Sequence, residues 1–302
     1  MAIFNYGKVE IEDTFAEMFS MWVGRVLITA ENEKWARVAA EVATGFASSI
    51  IGSPAEAGIE RLVSANETPD GRVGALIQIY HRTRSDLKRQ MVARIGQCVM
   101  TCPTTAAFNA LEGTLRKVKV GRSLRFFGDG FQRRDEIYGR KVWRIPVMEG
   151  EFIVEDSFGV KRGIAGGNFL IMARDLKSGL AAAEAAVNAI YKNVRGVILP
   201  FPGGICRSGS KVGSLKYKIP ASTNHLYCPT LRDTQPDSKV PKEANTIYEI
   251  VINGLGLSEV KMAMAEGIKA AAEVPGVVRI SAGNYGGKLG QYNVYLRDLL
   301  KE

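Results

Sequence analysis

With 302 residues and 46% hydrophobic content, the sequence has ample material for one large core or two smaller ones. Its 40 Lys plus Arg outnumber 31 Asp plus Glu, and the formal charge of +9 favours anionic ligands, yet the basic residues are scattered through stretches such as HRTRSDLKRQ and FQRRDEIYGRK. No RNP-type aromatic signature, helix-turn-helix pattern, zinc-finger spacing, membrane-length apolar run or secretory leader is visible, so neither nucleic acid nor membrane is expected as a partner, and the expected location is the cytoplasm.

In chain order, GRVLITA reads as a strand, and the segment after it sets Trp35, Val38, Ala39, Val42 and Phe46 on one helical face. SSIIG and GALIQIY read as strands, SDLKRQMVARIG as a helix from a Ser85 cap to a closing Gly96, and QCVMTC as a strand stopped by Pro103. Residues from about 104 to 167 read as a β-rich insert containing SLRFFGDGFQ, with a Gly-Asp-Gly turn, and KVWRIPVMEGEFIVED. NFLIMA then opens a second series, followed by a helix over LKSGLAAAEAAVNAIYKN, marked by Leu176, Leu180, Val187 and Tyr191, and by the strand GVILPF. A connection from Pro200 to Ala244, rich in Gly, Pro and Ser, leads to IYEIVIN, a Ser258-capped helix through Ala272 and the strand GVVRIS.

Each half therefore reads strand, helix, strand, strand, helix, strand, which is the split βαβ motif. The expected fold is α+β, an α/β sandwich of two ferredoxin-like lobes arising from an internal repeat, with a β-rich insert. The expected domains are residues 1–150, the N-terminal lobe with the insert, and 151–302, the C-terminal lobe.

Among the polar residues, Glu249 interrupts the strand NTIYEIVING. Alternation puts it on one face with Ile247 and Val251 and leaves Tyr248, Ile250 and Ile252 on the other. That face either meets solvent or half-buries an acid whose pKa is raised enough to hold or hand over a proton near neutrality. Other chemistries lack their residues. There is no G-x-S-x-G elbow and only two histidines, His81 and His225, so a serine triad is not expected. No H-E-x-x-H or paired-cysteine set supports a metal, and Cys98, Cys102, Cys206 and Cys228 read as reduced structural thiols. GNYGGKLG has the wrong glycine spacing for a phosphate loop, and a dinucleotide fingerprint is absent. PFPGGICRSGSKVGSLKYK alternates small residues with Arg207, Lys211, Lys216 and Lys218; it can point backbone N–H groups at an anion or be a plain basic surface loop.

As a set, VEIEDTFAE, ATGFASSIIG, PAEAGIE, ETPDGR, RIGQCVMTCPT, FFGDGFQ, GEFIVEDSFG, AGGNFLIMA, PFPGGI, SGSKVGS, PASTNHLYCPT, YEIVINGL and ISAGNYGGKLGQY resemble the formylmethanofuran:tetrahydromethanopterin formyltransferase family, from about Val9 to Tyr292. The resemblance implies an acyltransferase of one-carbon metabolism that moves a formyl group reversibly between N-formylmethanofuran and N5 of tetrahydromethanopterin or tetrahydrosarcinapterin. It also implies a homotetramer with no tightly bound cofactor and no metal, methanofuran and tetrahydromethanopterin serving as C1-carrier cosubstrates. The family's catalytic glutamate matches Glu249. Pro202, Gly203 and Gly204 become candidate wall residues or oxyanion donors, although a mere turn would use the same residues. Arg207, Ser210 and Lys211 become candidates for an acidic tail, and Phe127, Asp129, Phe131 and Gln132 for the flat pterin, although a plain hairpin tip explains them almost as well. Asn224 and His225 carry no assignment.

Two other readings stand beside this one. A close relative serves as the transferase subunit of a formyltransferase/hydrolase complex, which stable partner subunits on purification would reveal. A non-catalytic ferredoxin-like protein that binds an anionic ligand would have no turnover for Glu249→Gln to remove.

Overall fold

The computed structural model describes residues 2–209, 216–217, 219, 221 and 224–301. The chain forms two compact units, residues 21–162, and residues 1–20 together with 163–302. Strand Ile3–Tyr6 pairs with Val9–Glu12, which pairs in turn with the late strand Val277–Ser281, and the long strand Phe158–Ala173 spans residues 162 and 163.

In the 21–162 unit, strands Phe15–Thr29, Glu56–Val63, Gly74–His81 and Ala106–Asn109 lie in the sheet order fourth, first, third, second, with neighbours antiparallel. This is the split βαβ arrangement. Helices Glu33–Thr44 and Arg84–Arg94 cover one face, where Val26, Ile28, Ile77 and Ile79 meet Leu87 and Met91. The insert extends the sheet beyond Ala106–Asn109 through a parallel strand, Gly150–Glu155, and two antiparallel ones, Arg140–Val147 and Arg133–Ile137.

The other unit repeats the order with strands Phe158–Ala173, Val197–Ile198, Thr246–Gly254 and Val277–Ser281, again antiparallel. Helices Leu176–Asn193 and Leu257–Ala272 pack on Phe169, Ile171, Ile250, Ile252 and Ile280. Here too a parallel strand, Val9–Glu12, is added outside the fourth.

Several local expectations are corrected. QCVMTC is no strand: residues 95–99 continue the preceding helix as a π turn, with Ile95 and Val99 buried, and the fourth strand comes later at Ala106–Asn109. A short apolar run cannot by itself distinguish a strand from a buried helical turn. Thr83, not Ser85, caps that helix, accepting from the Asp86 N–H. The second strand is Glu56–Val63 rather than SSIIG. GVILPF contributes only Val197–Ile198, and Gly256 rather than Ser258 occupies the cap of the helix through Ala272.

In the first helix of each unit the sheet-facing residues are small, Ala36, Ala39, Ala40 and Ala43 in one and Gly179, Ala182, Ala183 and Ala186 in the other. Small side chains let helix and sheet approach closely. The larger Val42, Phe46, Leu176 and Leu180 point outward, against the expected face. Among the described residues no helix is long and apolar enough to cross a membrane, no cluster of ligating side chains could hold a metal, and all four cysteines are unpaired.

Candidate active site

In the 1–20/163–302 unit the helices occupy only one face of the sheet. The opposite face is covered by the Pro200–Ala244 connection, whose Leu226, Tyr227, Val240 and Ala244 pack on Leu170, Met172 and Ile247. Glu249 belongs to this second face, as alternation along Thr246–Gly254 requires, and stands in a cross-strand row with Leu170 and Ser281.

The connection returns to Glu249 twice. After Phe201 the chain makes a turn at Pro202–Gly204, then Cys206 forms an antiparallel bridge to Glu249 with both N–H···O bonds at 2.8 Å. Further on, Asn224 reaches the acid itself, its Nδ2 donating to Glu249 Oε2 at 3.3 Å. Glu249 keeps part of its surface accessible, yet protein crowds its carboxyl enough for burial to push its pKa up to about 7. The same burial raises the neighbouring Cys206 thiol, to which the Glu249 charge adds while Ser208 opposes it. An acid poised near neutrality can take a proton from one group and return it to another.

Beyond Leu170, Ser281 Oγ donates to Glu12 Oε2 at 2.5 Å and meets Tyr227 OH at 3.3 Å. Arg279 joins Glu10 at 2.6 Å. Burial drives the Tyr227 phenol to about 12, so it stays neutral and serves as a hydrogen-bonding wall.

The turn before Cys206 depends on two glycines with left-handed backbones, Gly203 at φ 62° and Gly204 at φ 82°. Gly204 donates its N–H to Phe201 O at 2.8 Å and is therefore committed internally, whereas no described residue accepts from the Gly203 N–H. A Cβ on Gly204 would lie 2.9 Å from Leu199 Cδ1 and 3.0 Å from Val187 Cγ2; one on Gly203 would meet open space. Gly204→Ala is expected to destabilise the protein by about 1–3 kcal/mol and to lower turnover at least about tenfold by displacing the Cys206 bridge. Chemical denaturation and steady-state rates test this, and an unchanged rate would separate the turn from the site.

Of the remaining candidates, Pro202 lies exposed on this turn and Arg207 exposed just after the Cys206 bridge, and Ser210 and Lys211 lie outside the described residues. Phe127, Asp129, Phe131 and Gln132 belong to the 21–162 unit. There the Gly-Asp-Gly stretch is no hairpin tip. It ends a 3-10 turn, Arg125–Gly128, with Asp129 left-handed at φ 48° and the Gln132 side-chain Oε1 accepting from the Gly130 N–H at 2.9 Å. Phe127 and Phe131 are exposed, as is Phe126, beneath the Arg125 guanidinium at 4.1 Å. Sequence reading passed over Cys206 and Asn224 as functional neighbours; the long ordered connection was the one available signal.

GNYGGKLG is explained by Glu17. Its carboxylate accepts four backbone N–H groups, from Tyr285, Gly287, Leu289 and Gly290, at 2.5–2.9 Å. The loop is an anion nest already filled by the protein's own side chain.

Residues 4–147 match the sequence pattern of the formylmethanofuran-tetrahydromethanopterin formyltransferase family, and residues 150–299 that of its proximal lobe. The chain is 58% identical over 297 residues to the formylmethanofuran–tetrahydromethanopterin formyltransferase of Methanocaldococcus jannaschii, covering 97% of this chain and 98% of that one. It is also 58% identical to the Methanopyrus kandleri enzyme of that name, covering 96% and 98%. Its fold matches the formyltransferase from Methanosarcina barkeri with a TM-score of 0.93 at 52% identity, over 98% of this chain and all of that one. It matches a chain of the formyltransferase/hydrolase complex from Methylorubrum extorquens, solved with methylofuran, with a TM-score of 0.94 at 44% identity and full coverage of both. With both halves matched and relatives this similar over nearly the whole length, the chain belongs to the formylmethanofuran–tetrahydromethanopterin formyltransferase family.

Proposed function

We propose that the protein transfers a formyl group between formylmethanofuran and tetrahydromethanopterin, with Glu249 moving the proton. The observation that carries the catalytic part is a carboxyl brought to about 7 by burial on the helix-free face of the sheet. N5 of the pterin attacks the formyl carbon of the N-formyl amide, giving a tetrahedral oxyanion and a cationic N5. Ionised Glu249 accepts the N5 proton, then returns it to the methanofuran nitrogen as the old C–N bond breaks and the carbonyl re-forms. The reverse transfer runs through the same steps. The Gly203 N–H, which has no acceptor among the described residues, is assigned as a donor for the oxyanion.

Arg207, with Ser210 and Lys211 on the same stretch, is assigned to a carrier's acidic tail, and the exposed Phe127 and Phe131 with Asp129 and Gln132 to the pterin. We assign the protein to the cytoplasm as a homotetramer that binds both carriers as cosubstrates and holds no tight cofactor. The likeness to a chain of the formyltransferase/hydrolase complex favours a second setting, that of a transferase subunit.

The experiment is formation of 5-formyltetrahydromethanopterin by the purified protein given formylmethanofuran and the reduced pterin, with mass measurement of the active species. Turnover by an isolated tetramer supports the first setting. Turnover only with co-purified subunits supports the second, and no turnover in either preparation overturns the assignment.

A further inference from the structure

The proton chemistry assigned to Glu249 requires that one of its two oxygens be kept free for the reacting groups. Asn224 is pinned by its backbone on both sides: its N–H donates to Gly209 O at 3.2 Å, and its carbonyl accepts from Tyr227 N at 2.8 Å and from the Cys228 thiol at 3.8 Å. Glu249 is pinned from the other direction by the Cys206 bridge. Between these two fixed points runs one side-chain contact, Asn224 Nδ2 to Glu249 Oε2. No other described side chain hydrogen-bonds to that carboxyl.

We propose that Asn224 is a positioning residue for Glu249: its amide occupies Oε2 and reserves Oε1 for the proton exchanged with the carriers. This deepens the acid–base reading above and rests on it. An amide is suited to the task because it neither titrates near neutrality nor competes for the proton. As a donor it also favours the ionised carboxylate, in opposition to burial, and so keeps Glu249 within reach of both forms.

The described titratable and charged groups on the elements packed around Glu249 are few. Cys206 lies across the bridge, with Arg207 exposed beyond it. His225 and Tyr227 lie on the turn with Asn224, and the Nδ1 of His225 is buried without a partner. Past Leu170 are Glu10, Glu12 and Arg279, already joined to one another or to Ser281. None of these hydrogen-bonds to the Glu249 carboxyl among the described residues, which leaves Asn224 as the group whose removal should be felt.

The test is an infrared titration of the protonated-carboxyl band in the resting protein, assigned by its loss in Glu249→Gln. Wild type should show a midpoint near 7. Asn224→Ala, lacking the donor, should move it up by at least about half a unit. Asn224→Asp, isosteric but unable to donate when ionised, places a second carboxylate against the first and should move the upper midpoint by more than one unit. The rising limb of the pH–kcat profile should move with it, and Asn224→Gln, which keeps a donor, should recover part of the shift. Should Asn224→Ala fail to fold, Asn224→Asp decides alone. A midpoint unmoved in the folded variants overturns the proposal, even if activity falls. By contrast, a fully active Glu249→Gln would overturn the acid–base reading whatever the titration shows.

Discussion

Replacing Glu249 by glutamine is expected to slow formyl transfer at least a hundredfold while leaving the binding of both carriers intact. General acid–base assistance is typically worth about a hundred- to ten-thousand-fold, and glutamine keeps the size and a hydrogen-bonding head but cannot accept and return the proton. Wild-type turnover should rise with pH through a limb near 7, because the ionised form must take the N5 proton, and the variant should lack that limb. Single-turnover rates with saturating carriers make the comparison, and a variant within about threefold of wild type would sink the mechanism.

The same substitution should change stability in the opposite sense. The folded protein holds the Glu249 proton up to about 7, against an ordinary value of 4.5, so folding favours the protonated form. The resulting penalty is absent below the ordinary value, grows between the two and is fully present above 7. Allowing for the part of the residue that remains exposed, it amounts to about 2 kcal/mol. At pH 8 Glu249→Gln should therefore be the more stable protein by that amount, the gain vanishing toward pH 4.5. Equal denaturation midpoints at pH 8 would mean that the carboxyl is solvated and its proton ordinary.

Glu17→Ala is expected to be the most destabilising of the substitutions considered, by about 3–5 kcal/mol. Each backbone N–H left buried without a partner costs about 1–3 kcal/mol, and four would lose theirs together; water entering as the loop opens limits the sum. Burial acts to raise the Glu17 pKa, but the four N–H groups outweigh it and leave the carboxyl below its ordinary 4.5. Its contribution is thus complete above that value and is lost as pH falls through the lowered one. Acid denaturation of wild type should contain this component and that of Glu17→Ala should not. Urea denaturation at pH 7 gives the size directly, and a loss under about 1 kcal/mol would show the nest to be a surface contact.

The features legible in sequence were those that depend on local periodicity. Alternation along Thr246–Gly254 put Glu249 opposite Tyr248, Ile250 and Ile252, and the order of elements gave both split βαβ units. What escaped depends on partners distant in sequence. EAGIERLV reads poorly as a strand because of Glu60, whose burial is compensated by Arg25, 35 residues earlier, which meets it with two bonds at 2.6 and 2.8 Å, and by Gln78, which adds a third. Asn224 is 25 residues from Glu249, and no spacing rule joins them. The pairing of Val9–Glu12 with Val277–Ser281, which joins the two ends of the chain, leaves no local signal either. The outward Val42 and Phe46 reversed the expected helix face because close packing on a sheet selects alanine over bulk.

The internal repeat itself is uneven at one row. Three residues before Ala173, Leu170 stands between Glu249 and Ser281; three residues before Ala30, Leu27 stands between Leu76 and Phe108, on the corresponding helix-free face. Leu76, the counterpart of Glu249, lies in a cluster with Val63, Ala106 and Val142. The two halves therefore differ in mutational tolerance at the same structural position. In the leucine row, swaps that conserve volume, such as Leu76→Met, lose less than about 1.5 kcal/mol, and shape alone is the constraint. In the glutamate row, on the proposed mechanism, Glu249→Gln would gain stability at the expense of proton transfer. On that mechanism the row is adjustable in one unit and fixed in the other.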